Sequence, residues 1–214
     1  KGLTVFDSSG RVLRAVRSFV GAYDFATDGK FLFVNPTDRR EDASLILKLD
    51  WEMQAAERWG RRDGGVQGRM RARAYLGHLD RRVVIGFVHR PLITLLDGHS
   101  RTDVALSFPG LDELVALERE EALTMPGNGL VRLPTYVAGV CVLRSRAYVL
   151  VDLPEPYLLR LDAAGVVEAQ FVGAQKVYGR HYLGLAGIDS GGNTGELFAL
   201  ALDPSGVRSV IGMQ

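Results

Sequence analysis

Ala147 to Gly173 reads AYVLVDLPEPYLLRLDAAGVVEAQFVG, and this stretch decides the fold. Tyr148 and Leu150, then Leu158 and Leu161, hold apolar side chains in a β-type pattern. Pro154 and Pro156 interrupt that pattern, and Asp162-Ala163-Ala164-Gly165 breaks it again. The predicted order is strand, turn, strand, turn, strand. The charged, proline-rich Asp152-Leu153-Pro154-Glu155-Pro156 reads as a loop between strands, so the stretch speaks for architecture rather than for an activity.

Working outward, an apolar strand that ends in Asp and a turn recurs along the chain. It appears as LTVFDSSG from Leu3, LILKLDWEM from Leu45, LITLLDGHS from Leu92, YLLRLDAAG from Tyr157 and LFALALDPSG from Leu197. The aspartates are Asp7, Asp50, Asp97, Asp162 and Asp203, spaced by 43, 47, 65 and 41 residues. A four-stranded unit repeating every ~40 to 50 residues is the period of a propeller blade. The expectation is therefore an all-β chain, a β-propeller of four-stranded antiparallel blades, with about five units visible and the first incomplete. The aspartates themselves are turn chemistry, not a catalytic set: a carboxylate binds the backbone ahead, and Gly accepts positive φ at the turn's close.

Taken in order, Leu3 to Phe6 and Val12 to Val16 are the last two strands of a unit. The second unit runs Ala22 to Ala26, Phe31 to Asn35, Leu45 to Leu49 and Gln54 to Trp59. The third runs Ala74 to Leu79, Val83 to Val88, Leu92 to Leu96 and Val104 to Phe108. The fourth spans Thr135 to Val172. The fifth holds Tyr182 to Ile188, Leu197 to Leu202 and Val207 to Ile211, with Gly191 to Gly195 as a hairpin tip. In the long third interval, Leu111 to Leu123 has helical spacing with acids opposite its apolar face, and Met125-Pro126-Gly127 stops it. A single propeller domain over residues 1–214 is expected, and because the chain opens on Lys1, further sequence upstream is expected to complete the first unit.

Composition narrows the partners. A formal net charge of +1 gives no global field for nucleic acid, so no nucleic-acid partner is expected. The single cysteine, Cys141, excludes an internal disulfide and a multi-cysteine zinc site and reads as a small buried hydrophobe. No apolar run approaches the ~18 residues of a transmembrane helix.

Charge is concentrated in two places where the repeat is broken. Arg58, Arg61, Arg62, Arg69, Arg71 and Arg73 lie in the most basic stretch, which reads either as a solvated loop between blades or as a patch for an acidic partner. Glu113, Glu118, Glu120 and Glu121 lie on the expected helix. These ten residues are the candidate partner-binding set. His78, His89, His99 and His181 occupy different places in their units and are not expected to converge on a metal. No catalytic residue, cofactor or resident metal is expected from motifs: HExxH, GxSxG and Walker-type loops do not occur.

Tyr148-Val149-Leu150-Val151-Asp152, then Leu159-Arg160-Leu161-Asp162 with Gly165, then Phe171-Val172-Gly173 resemble the repeat of six-bladed propellers of the NHL and TolB-like type. Phe31 to Asn35, Leu47 to Asp50 and Trp59-Gly60 resemble a divergent copy, while the third copy departs in placing Gly98 directly after Asp97. The resemblance implies a rigid six-bladed ring and an extracytoplasmic, periplasmic location. Two functions are consistent with it. One is a non-catalytic scaffold or accessory subunit of a larger assembly, peripherally associated with a membrane complex or not. The other is a calcium-dependent hydrolase similar to the gluconolactonase group, for which Asp24, Asn35 and Asp152 are the metal candidates.

Overall fold

Alternation of short apolar strands with two- to four-residue turns leaves one economical solution, the antiparallel meander, and the chain adopts it repeatedly. The structure is a computed structural model that describes residues 3–7, 9–16, 22–36, 44–61, 71–98, 100–107, 110–116, 133–152, 156–172, 181–189, 195–202, 205 and 208–213. β1 (Leu3–Phe6) and β2 (Val12–Val16) form a two-stranded ribbon. Three four-stranded meanders follow. They are β3 (Ala22–Thr27) to β4 (Leu32–Pro36), β5 (Ser44–Leu49) and β6 (Ala55–Arg61); then β7 (Ala74–Leu79) to β8 (Arg82–Phe87), β9 (Leu92–Leu96) and β10 (Arg101–Ala105); then β11 (Val137–Leu143) to β12 (Arg146–Val151), β13 (Tyr157–Leu161) and β14 (Val167–Val172). The last sheet is β15 (His181–Asp189), β16 (Gly195–Leu202) and β17 (Arg208–Met213).

The first strands of successive sheets, β3, β7, β11 and β15, pack against one another in that order. Sheets that meet through their first strands and splay outward along the meander are propeller blades, and the fold is a β-propeller with four-stranded antiparallel blades.

Each of the three four-stranded blades buries both faces of its middle strands, which is why those strands read as unbroken apolar runs. In β12, Val149 and Val151 join the core shared with the β7–β10 blade, whereas Leu150 points the other way, into the core shared with the last sheet. The first junction is made by Phe33, Ile46 and Trp59 against Leu76, Ile85 and Phe87. The second sets Val84, Ile93 and Leu95 against Val137, Leu159 and Leu161. Burial of one such side chain is worth about 1.5–3 kcal/mol, so these apolar junctions carry most of the hold between blades.

The repeated aspartates sit at one turn, between third and fourth strands. Asp7, Asp50, Asp97 and Asp162 each donate their backbone N–H across that turn, to the carbonyls of Arg11, Gln54, Ser100 and Val166. Their Oδ1 atoms accept from backbone N–H groups within it: Ser9 and Arg11, Gln54, Ser100, Ala164 and Val166. The shared geometry makes β1–β2 the outer pair of a blade. Asp203 lies outside the described residues, and β16, which precedes it, is second from the axis rather than third, because β15 takes the inner place beside β11. The fifth motif is therefore out of register with the other four.

Two further readings are corrected. The outer strand expected at Val104 to Phe108 is Arg101–Ala105; the turn after Asp97 closes at Ser100, one residue sooner than in the other units, and the strand starts directly after it. The strand expected at Gln54 to Trp59 is Ala55–Arg61, so it holds Arg58 as expected and takes in Arg61 as well, which is not in a loop between blades. The helix begins at 111 as expected and is described over 111–116; 117–123 and the hairpin tip at 191–194 lie outside the described residues.

Two blades approach closely at Gly139. A Cβ built there would lie 2.6 Å from the backbone N of Leu185, and one on Gly187 would lie 2.7 Å from Cys141 Sγ. β11 and β15 therefore meet with glycine facing the partner strand on each side. The Cys141 thiol, caught at this junction, is pushed by burial up to about 11.

Candidate functional site

Antiparallel meanders bring the start of each inner strand and the end of each second strand to the same rim of the propeller. At that rim backbone hydrogen bonds form a line: Val88 N–H donates to Arg73 O at 2.9 Å within the β7–β10 blade, Tyr136 N–H donates to Val88 O at 2.7 Å across to the next blade, and Asp152 N–H donates to Tyr136 O at 3.0 Å within that blade. His89 Nδ1 lies 2.8 Å from Pro134 O, a second tie between the same blades. Between the first two full blades the tie is a side chain. Asp24, on β3, accepts the Leu76 N–H of β7 at 2.8 Å through Oδ2. Such fixed polar ties make the rim a rigid support for whatever it displays.

It displays aromatic and cationic side chains. Tyr23 and Phe25 alternate outward along β3 and are 40% and 52% exposed, and the Arg73 guanidinium stands 5.6 Å from the centre of the Tyr23 ring. Arg73 is exposed and Arg71 half-buried. Arg58 and Arg61 are exposed on the outermost strand of the same blade. Of the remaining candidates, Glu113 is exposed on the 111–116 helix, while Arg62, Arg69, Glu118, Glu120 and Glu121 lie outside the described residues.

Behind the rim are two carboxylates and a phenol. Burial raises the Asp24 carboxyl, against the lowering effect of its bonds from the Leu76 and Phe25 N–H groups. Tyr75 is raised chiefly by burial; Arg73 opposes this, and the charges of Asp24 and Asp152 add to it. Asp24 and Asp152 are thus both within electrostatic reach of one phenol. The third metal candidate, Asn35, is fully buried, donates through Nδ2 to Leu45 O at 2.9 Å, and leaves Oδ1 without a hydrogen-bond partner. Among the described residues no three His, Cys, Asp or Glu side chains gather as a metal set. His78 stacks on Phe33, ring centres 5.1 Å apart, and its burial lowers its pKa. His99 and the side chain of His181 lie outside the described residues. No described helix is long and apolar enough to cross a membrane.

The raised Asp24 carboxyl has a consequence for stability. Its neutral form is the one the fold prefers, so its contribution is present at acid pH and is lost as pH rises through its folded-state titration. Asp24→Asn keeps an acceptor for Leu76 N–H without the charge. In thermal melts the variant is expected to match the parent at acid pH and to exceed it increasingly towards neutrality; a parent that gains over the variant as pH rises would overturn the assignment.

Aromatic exposure at the rim was the feature the sequence concealed, since Tyr23 and Phe25 read as ordinary strand residues. The one available signal was their i, i+2 spacing just ahead of a buried run.

No family model matches the chain, and no curated protein matches it. Solved structures do resemble it. The glutaminyl cyclase of Myxococcus xanthus aligns with 12% identity and a TM-score of 0.49, over 100% of this chain and 83% of that one. BBS1N, crystallised in complex with ARL6DN, aligns with 14% identity and a TM-score of 0.47, over 100% of this chain and 57% of that one. Apo AztD from Citrobacter koseri aligns with 11% identity and a TM-score of 0.42, over 100% and 66%. At such scores the fold rests on the strand order and blade packing of the chain itself.

Proposed function

We propose that the chain is a non-catalytic β-propeller that presents a rigid surface to a protein partner, as an accessory subunit of a larger assembly. The carrying observation is the exposed Tyr23 and Arg73 pair on the rim, set by β3 and the start of β7, which a cross-blade hydrogen bond ties together. Protein interfaces are enriched in these residue types, and truncating one anchor typically costs ~2 kcal/mol or more. The stack on Tyr23 fixes the Arg73 guanidinium before binding, which lowers the entropy lost on association. A partner that fits offers an apolar cleft edged by carboxylates. Arg58, Arg61 and Arg71 extend the same positive surface. Kinship with NHL and TolB-like propellers, a six-bladed ring, a periplasmic location and peripheral association with a membrane complex belong to this proposal; the Asp turn shared by four units supports the kinship.

The test is quantitative co-purification of the tagged chain with its native assembly. Tyr23→Ala combined with Arg73→Glu is expected to cut the recovered partner at least tenfold with an unchanged melting temperature. Undiminished recovery would sink the proposal. The second reading, a calcium-dependent hydrolase, is favoured by the charges of Asp24 and Asp152 both acting on Tyr75 and by the unpaired Asn35 Oδ1. Calcium that raises the melting temperature of the parent but not of Asp24→Asn is its mark, and no response at millimolar calcium removes it.

A further inference from the structure

The junction between the β3–β6 and β7–β10 blades, two complete sheets, is closed at the end opposite the rim by a column of rings. His78 of β7 lies on Phe33 of β4 with ring centres 5.1 Å apart and planes 17° apart, and Phe33 meets Trp59 of β6 at 5.2 Å. Val83, opposite His78 in the β7–β8 ladder, is fully buried in the same junction. The column thus runs from the inner strand of one blade to the outer strand of the other. One of its members can acquire a charge in mild acid, because it is a histidine.

The groups around the column decide what that charge does. Lys48 of β5, paired with Phe33 across the β4–β5 ladder, already sets its Nζ 5.5 Å from the centre of the Trp59 ring and 4.4 Å from that of Phe31. Glu57 is committed to this cation and to Trp59 Nε1, which donates to its Oε2 at 2.7 Å. A proton on His78 therefore brings a second cation to the same rings. Two carboxylates favour it: Asp28, whose Oδ1 accepts the Lys30 and Phe31 N–H groups of its own turn at 2.8 and 2.6 Å, and the exposed Asp80 of the β7–β8 turn. Burial opposes it and is the larger effect, so the imidazole is held below its usual range. The other charged groups on these turns are the exposed Lys30 and Arg81, and Arg82, whose guanidinium donates to Ala163 O on the next blade. The fold thus prefers neutral His78. That stabilisation is complete above the titration of the unfolded chain and is lost as pH falls through that of the folded one.

We infer that this junction is an acid-sensitive hinge: a proton on His78 breaks the ring column and loosens the β7–β10 blade against the β3–β6 blade. β7 packs on β3 and β4 along the junction, and Arg73 stands at its rim end against Tyr23. Resting on the reading of that pair as the docking group, the loosened junction also draws Arg73 off Tyr23, and acid releases the partner. Asp24, at the rim end, responds to pH in the opposite sense. The effect of His78 is therefore read against variants at position 78, not from the parent alone.

Thermal melts of the parent, His78→Phe and His78→Gln between about pH 7.5 and pH 5 test the hinge. Neither replacement titrates, and the glutamine variant serves where phenylalanine repacks the column. Across that range the parent is expected to lose ~2–4 °C relative to each variant. Parallel curves would overturn the inference, as would a His78 imidazole that titrates, by NMR, at or above a histidine of the unfolded chain. Recovery of the native partner tests the second step: the parent is expected to lose it at least threefold between the same pH values, and His78→Phe to retain it. Unchanged recovery by the parent, or equal loss from both, would overturn acid release. Failure of the docking reading shows separately, as undiminished recovery at neutral pH by the chain carrying Tyr23→Ala and Arg73→Glu.

Discussion

Gly139→Ala is expected to destabilise the propeller by about 3 kcal/mol, whereas Gly184→Ala, on the neighbouring strand, raises stability by a few tenths of a kcal/mol. The two differ only in what the added methyl meets. At Gly139 it would lie 2.6 Å from Leu185 N, 2.7 Å from Leu185 Cβ and 3.1 Å from the Gly184 carbonyl carbon; at Gly184 it meets nothing within 4 Å. Backbone cannot swing aside as a side-chain tip can, so relief at Gly139 requires β11 and β15 to separate, and with them the core of Ala138, Leu150, Leu158, Leu197 and Ala199. Gly184→Ala meets no such obstacle and gains by restricting the unfolded chain. For a chain of this size the Gly139 variant should melt ~6–12 °C lower. Equal midpoints for the two variants in thermal or urea denaturation would show that the inner strands do not meet as described.

That contrast marks the boundary of what the sequence can say. The strands and the Asp turn were legible because both are local: alternation over five residues, and a carboxylate reaching backbone N–H groups two to four residues ahead. The propeller followed from their period. What glycine does at 139 and 187 was not legible, since it depends on which strand of a distant unit lies opposite. The same limit explains the misplaced fifth motif. LFALALDPSG has the local chemistry of a third strand and its turn, yet the packing of β15 on β11 makes that strand the second of its blade. At the site, charge misled in one respect and informed in another. Arg61 lies in the edge strand that Arg58 was expected to share, and the end of such a strand reads as loop when its residues are mostly polar. Arg73 was among the candidates, but its neighbours Tyr23 and Phe25 were not, because an apolar residue in a strand is by default core. The ties that stiffen the rim, Asp24 to Leu76 and His89 to Pro134, join residues 52 and 45 positions apart, and no local pattern announces them.

The second large effect is expected at Gly165, where Gly165→Ala should cost about 2–4 kcal/mol against about 1 kcal/mol for Gly10→Ala. Both glycines close the same Asp turn, Gly10 with φ 83° and Gly165 with φ 89°, so both variants carry the cost of a side chain in the left-handed region. Only Gly165 carries a second cost. Its Cβ would lie 3.0 Å from Leu95 Cδ1 and 3.4 Å from Val104 Cγ2, on the preceding blade, while Gly10 has open space around it. The turn at Gly165 is thus a joint between blades, and Arg82 reinforces it by donating to Ala163 O at 3.2 Å. Leu95→Val should recover part of the loss in the Gly165→Ala background while destabilising the parent, a non-additivity that a purely local backbone cost would not produce. Urea midpoints of the four proteins decide it: strictly additive effects, or equal losses at Gly10 and Gly165, would confine the turn's role to its own hairpin and leave the apolar junction alone to hold the outer strands of the two blades together.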